Sequence, residues 1–207
     1  MSSHQITPVQ TMQEKQLTYA ENMQRWKKAM QQEFYFEAIM IDYATMEDRL
    51  FAFLYYSGII TDRNRPQVPG AVRPDLMRLL NELKGKEQKQ LRLYDISVKM
   101  DMIHATLKWA METEGVPERA VWLKALKDKY EGSFDVSDVI DTFNRIRKWC
   151  ELRNEVVHGL MNKQSDKLNA LLPELADNGM ILARELDAYV KQLRKGASVR
   201  RAIKLQT

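Results

Sequence analysis

The sequence predicts an all-α protein: a single helical bundle domain of six or seven helices with an up-and-down core. Three observations carry this. Apolar residues recur at spacings of three and four along most of the chain, the period of a helix with one buried face. Val-Ile-Thr runs of the kind that make strands are few. A length of 207 residues, 44% hydrophobic and 29% charged, suits a folded chain with one substantial core or two small ones.

Taken in order, residues 1–11 read as a loose leader. Tyr19, Met23, Trp26 and Met30 then recur at helical spacing from Met12 to about Gln32, a stripe that packs a first helix on the body. Phe34 to Ser57 is the most apolar helix. Its expected seam is Phe36, Met40, Tyr43, Leu50, Leu54 and Ser57, with Ile39, Met46 and Phe53 beside it, and Glu47 falls inside it. Gly58 is placed to cap that helix at its C-terminus.

Residues 58–74 form an inserted loop in which three prolines break the periodicity. A connector this long in a small domain invites a role, and its Arg63, Arg65 and Arg73 suit a phosphate-bearing ligand, although solvated charge is the default. A short helix from Asp75 to Leu83 precedes Gly85. A long central helix is expected from Lys86 to Glu112, apolar on two faces, with His104 on its polar strip beside Asp101.

After Gly115-Val116-Pro117, a short helix is expected over Glu118–Tyr130. Asp135 is then placed to cap a long helix that carries Val136, Val139, Phe143, Ile146, Cys150, Val157 and Leu160 on one face. Pro173 is expected to open the last helix, whose inner stripe is Leu175, Gly179, Leu182, Leu186, Tyr189 and Leu193. Gly179 on that stripe permits a close helix contact. The domain thus spans 12–194, followed by a basic tail over 195–207.

Composition narrows the function. Cys150 is the one cysteine, which excludes an intrachain disulfide and a multi-cysteine metal site, and its place on the apolar stripe makes it a small core residue. No convincing metal cluster or cofactor motif is present. The first residues lack the apolar stretch of a signal peptide and no apolar run is long enough to span a bilayer, so a cytoplasmic protein without a membrane partner is expected. A net charge of +4 is compatible with an RNA partner. The tail residues Arg194, Lys195, Arg200, Arg201 and Lys204 read as a solvated terminus or as a sequence-independent phosphate contact.

The informative stretch is Arg153-Asn154-Glu155-Val156-Val157-His158. Arg153 occupies the slot between Cys150 and Val157 where the stripe calls for an apolar side chain. An arginine there must be paired or must face an anion. Five residues on stands His158, able to take and give protons near neutral pH. Five helical residues turn through roughly 140°, so the two are not on one narrow face. The long Arg153 side chain can lean toward His158 and flank with it a shallow groove floored by Val157 and Asn154, whose other wall a second subunit can supply.

Such a pair fits RNA cleavage. The ribose 2'-hydroxyl is the nucleophile, histidine serves as base or acid, and arginine holds the non-bridging oxygens. The spacing alone is weak: with 15 Arg and 3 His in the chain, Arg-x4-His arises by chance about 0.2 times. Its strength lies in placement, with Arg153 interrupting one stripe and Glu47 another. Glu47 is the expected counter-charge that holds Arg153.

Arg153-Asn154-x3-His158 on the penultimate long helix resembles the signature of the HEPN superfamily, helical-bundle proteins of toxin-antitoxin, CRISPR and phage-defence systems. Ile41 to Leu50 resembles that family's early helix, which often carries a buried acid. The likeness covers about 34–57 and 135–194. It implies that Arg153 and His158 are catalytic and that Asn154 orients them or touches RNA. It also implies a homodimer in which two motifs share a cleft, and metal-independent cleavage leaving a 2',3'-cyclic phosphate. An antitoxin or nucleotidyltransferase partner is a further implication. The alternative is a non-catalytic helical module that binds a protein or nucleotide; a purely structural Glu47–Arg153 bridge, with His158 a bystander, is the plainer reading of the same residues.

Overall fold

A computed structural model describes residues 11–62, 65–88, 90–115, 121–159, 165–196 and 198–199. Seven α-helices and no strand occur among them: α1 (Met12–Gln31), α2 (Tyr35–Tyr56), α3 (Arg73–Lys84), α4 (Ile96–Glu112), α5 (Val121–Glu131), α6 (Val136–Gly159) and α7 (Ser165–Lys195). The protein is an all-α bundle, as its periodicity predicts. The leader residues 1–10, Arg63, Pro117, Glu118, Leu160, Arg200, Arg201 and Lys204 lie outside the described residues.

The bundle is centred on α2, which packs most extensively on α7 and also against α1 and α4, while α6 packs on α7 and α4. Phe53 of α2 ties the elements together, its ring 5.6 Å from that of Phe143 on α6 and 6.0 Å from that of Tyr130 on α5. Close approach of α2 to α7 depends on Gly179. A Cβ there would lie 2.7 Å from Asp42 Oδ2 and 2.9 Å from both Asp42 Cβ and Trp149 Cζ2. The Trp149 indole N–H donates to the Leu175 carbonyl at 2.7 Å, fixing α6 against α7 at the same level.

Helix ends follow local chemistry. Thr11 caps α1 in a reciprocal box with Glu14, satisfying backbone donors at both positions. Gly58 and Gly85 follow α2 and α3 with φ of 75° and 62°, left-handed values that suit glycine. Asp135 Oδ1 accepts from the Ser137 N–H at 2.8 Å at the start of α6, and these bonds hold its carboxyl below the usual range. The connector after α2 is strapped at both ends, since Ile59, Ile60 and Val72 are fully buried and the Thr61 N–H donates to the Gln67 carbonyl. Cys150 is buried and unpaired, its thiol pushed up to about 11 by burial.

Three expectations are corrected. First, α4 begins at Ile96 rather than near Lys86. Residues 86–95 instead make the return from α3 to α4, with the Gln88 N–H bonded to the Asn81 side chain. Second, α7 begins at Ser165 and Pro173 sits inside it. An internal proline costs about 3 kcal/mol, and burial of Leu168 and Leu172 ahead of it offsets that cost. Third, the N-terminal half of α2 buries Ile39 and Met46 as expected, together with Ala38, Ile41, Asp42 and Thr45, but leaves out Phe36 and Met40 of the expected seam. Phe36 and Met40 are 36% and 41% exposed.

The basic tail is anchored at one described point, Val199, which is 2% exposed and joins the core. No helix among the described residues is long and apolar enough to cross a membrane.

Candidate functional site

Arg153 projects from α6 across the flank of α2. Its guanidinium carbon lies 4.3 Å from the centroid of the Tyr43 ring, a cation–π distance. One terminal nitrogen donates to Asn154 Oδ1 at 3.0 Å and the other approaches Met40 Sδ at 3.5 Å. The buried Nε has no hydrogen-bond partner among the described residues. The side chain is therefore oriented by an aromatic face, a thioether and its neighbour's amide, none of which neutralises its charge.

Glu47 does not hold Arg153, which corrects the expected pairing. Its carboxylate takes the Lys99 ammonium of α4 at 2.5 Å. Lys99 is fully buried, lies 4.0 Å from the Phe51 ring centroid and also donates to the Tyr94 carbonyl at 3.3 Å. A buried ammonium needs a counter-charge more than a half-exposed guanidinium does, so the acid goes to the lysine. No carboxylate among the described residues forms an ion pair with Arg153. Tyr43, one turn before Glu47, feels both sides: burial and then Glu47 raise its phenol, and Arg153 lowers it.

A direct consequence concerns stability. Glu47→Ala leaves the Lys99 charge with only a carbonyl and an aromatic face. Because the Glu47 side chain is 33% exposed and water can enter, the expected loss is about 2–3 kcal/mol, at or below the lower end for a broken buried pair. Urea denaturation of the variant measures it. Were Glu47 instead the anchor of Arg153, this substitution would abolish anion binding at Arg153 with little loss of stability.

His158 stands in the last turn of α6, exposed, and no hydrogen bond or ion pair joins it to Arg153. Asn154 is exposed and touches Arg153 directly, so the three predicted residues lie on one stretch of helix with one of the two contacts made. Arg65 of the connector and Arg73 at the start of α3 are exposed, and no hydrogen bond or ion pair among the described residues joins either to this group. His104 lies elsewhere, half-buried on α4, its imidazole lowered first by burial and then by Arg147.

Four residues escape the sequence-level reasoning. Tyr43 and Met40 support Arg153, yet their spacing marks them as core. Lys99 lies beside the unbroken row Ile96, Met100 and Ile103, so no break in the pattern marks it. Asp42 is the fully buried acid of the early helix, whereas Glu47 is only partly covered. Both Asp42 carboxyl oxygens lack a hydrogen-bond partner among the described residues, and burial pushes the group up to about 8.

Comparison with protein-family models, with curated proteins and with solved structures finds no match to this chain.

Proposed function

We propose that this chain is a metal-independent endoribonuclease of the HEPN type, with Arg153 and His158 as its catalytic residues and Asn154 as the positioning residue for Arg153. The observation that carries this is the guanidinium of Arg153, held on Tyr43 with no carboxylate among the described residues paired to it. A fixed cation without a counter-ion is a seat for an anion, and a phosphodiester supplies one.

In the proposed reaction the ribose 2'-oxygen attacks phosphorus as a base removes its proton. The bond from phosphorus to the 5'-oxygen breaks, and that oxygen takes a proton from an acid. The products are a 2',3'-cyclic phosphate and a free 5'-hydroxyl. Arg153 holds the non-bridging oxygens while charge gathers on them. His158 is exposed at the helix end, free to reach a ribose. A two-fold homodimer would bring a second His158, giving base and acid separate side chains. The absence of any hydrogen bond that orients His158 favours, as a second reading, a non-catalytic module in which Arg153 only binds.

The test is cleavage of an unstructured oligoribonucleotide beside the same sequence made with 2'-deoxyribose. The expected result is cutting of the first alone, with cyclic phosphate ends. Cutting of both strands, or of neither, overturns the proposal.

A further inference from the structure

The N-terminal half of α2 leaves an apolar strip uncovered. Phe36 and Met40, one helical turn apart on one face, are 36% and 41% exposed, and Phe34 just before them is 58% exposed. Large apolar side chains in solvent are ordinary when scattered, but these are consecutive along a face. The strip ends at a charge. Met40 Sδ touches Arg153, and the next side chain on the face, Tyr43, lies under the guanidinium.

The strip therefore offers apolar surface at one end and, at the other, a cation with no ion-pair partner among the described residues. Its occupant must bring an anionic group to Arg153 and an apolar face to Phe36 and Met40. We infer that this strip seats single-stranded RNA, with a phosphate at Arg153 and a neighbouring base against Phe36. This deepens the proposal above and rests on Arg153 as the phosphate holder. Duplex RNA hides its base faces within its own stack, whereas an unpaired strand can splay a base onto an aromatic ring. A second copy of the chain is the competing occupant. It would cover Phe36 and Met40 but leave the Arg153 charge without an anion.

The experiment separates binding from cleavage. The probe is a labelled 12-nucleotide oligouridine with 2'-O-methyl groups, which has no free 2'-hydroxyl to attack, compared with a duplex of the same length. The full chain is expected to prefer the single strand. Phe36→Ala should weaken single-strand binding by roughly 5- to 100-fold, the range for loss of one base–aromatic stack. Phe36→Trp, which restores a ring, should recover most of it. Arg153→Gln should lower the salt dependence by about one phosphate.

Phe36 is 36% exposed, so its truncation also removes some packing; Phe36→Leu, which keeps apolar bulk without a ring, should stay folded and still lose the single-strand preference. Unchanged single-strand affinity in Phe36→Ala overturns the inference. So does sedimentation showing that Phe36→Ala splits a dimer while affinity per subunit holds, since the strip is then an interface between copies. If binding depends on Phe36 and no RNA is ever cut, the strip stands and the nuclease proposal falls. If RNA is cut and the Phe36 variant binds normally, the reverse holds.

Discussion

Replacing His158 with alanine should lower the single-turnover rate of RNA cleavage by about 10²- to 10⁴-fold, the usual contribution of one acid–base group. The structure makes this a clean experiment. His158 is exposed and bonded to nothing among the described residues, so its loss should leave stability within about 0.5 kcal/mol. A rate loss in this variant is thus chemical and not a by-product of unfolding. Arg153→Ala should cost about 10²- to 10³-fold by the same measurement, through loss of charge stabilisation at the phosphate. Arg153→Lys should not restore the rate. A lysine cannot lie flat on Tyr43 while presenting two donors to one phosphate. The double variant should be little worse than the poorer single one, because the two act on one transition state. A His158→Ala protein that cuts RNA at the wild-type rate removes the proposed site.

The elements with one apolar face were legible in the sequence. Leu175, Leu182, Leu186 and Leu193 of the α7 stripe are buried as expected, Tyr189 only partly, and the close contact at Gly179 follows from the absence of a side chain among large ones. The α2 helix was less legible because it is apolar nearly all round. Phe36, Met40 and Tyr43 share one spacing and Ala38, Ile39, Asp42 and Met46 share another, and periodicity cannot choose between them. Packing on α7 chose the second set. The charge at Glu47 correctly signalled a pair, but not which pair. Lys99 lies 52 residues away in sequence, and only the packing of α2 on α4 brings them together. Pro173 marks a helix start by local preference, but α7 begins at Ser165, and the burial of Leu168 and partial burial of Leu172 ahead of the proline are what extend it. Arg153 stands out in the sequence because it breaks a one-faced pattern, a conflict between local rule and global fold, whereas His158 lies on the exposed side and breaks none.

Asp42 should make the protein lose stability as pH rises, by roughly 5 kcal/mol across its titration window. Its carboxyl is fully buried between α2 and α7 beside Gly179. Burial is the main cause of its rise from the ordinary 3.8 to about 8; nearby Trp26 lowers it, Asp177 raises it and Arg184 lowers it. Below pH 3.8 the folded and unfolded chains both hold this proton, and the group adds no slope. Between 3.8 and about 8 the unfolded chain has released the proton while the folded chain keeps it. Unfolding then releases a proton, so each rise in pH favours the unfolded state. Above about 8 both states are ionised and the slope ends, with the folded state holding a carboxylate that has no hydrogen-bond partner among the described residues. Asp42→Asn is neutral at every pH and nearly the same size. Its absolute stability depends on what its amide finds, but its slope does not. Urea denaturation at pH 5 and pH 8 should show the wild type losing about 4 kcal/mol more than the variant over that interval. Equal losses in the two proteins would mean that Asp42 is ionised in the folded state throughout, with α1 and Trp26 drawn aside to let water reach it.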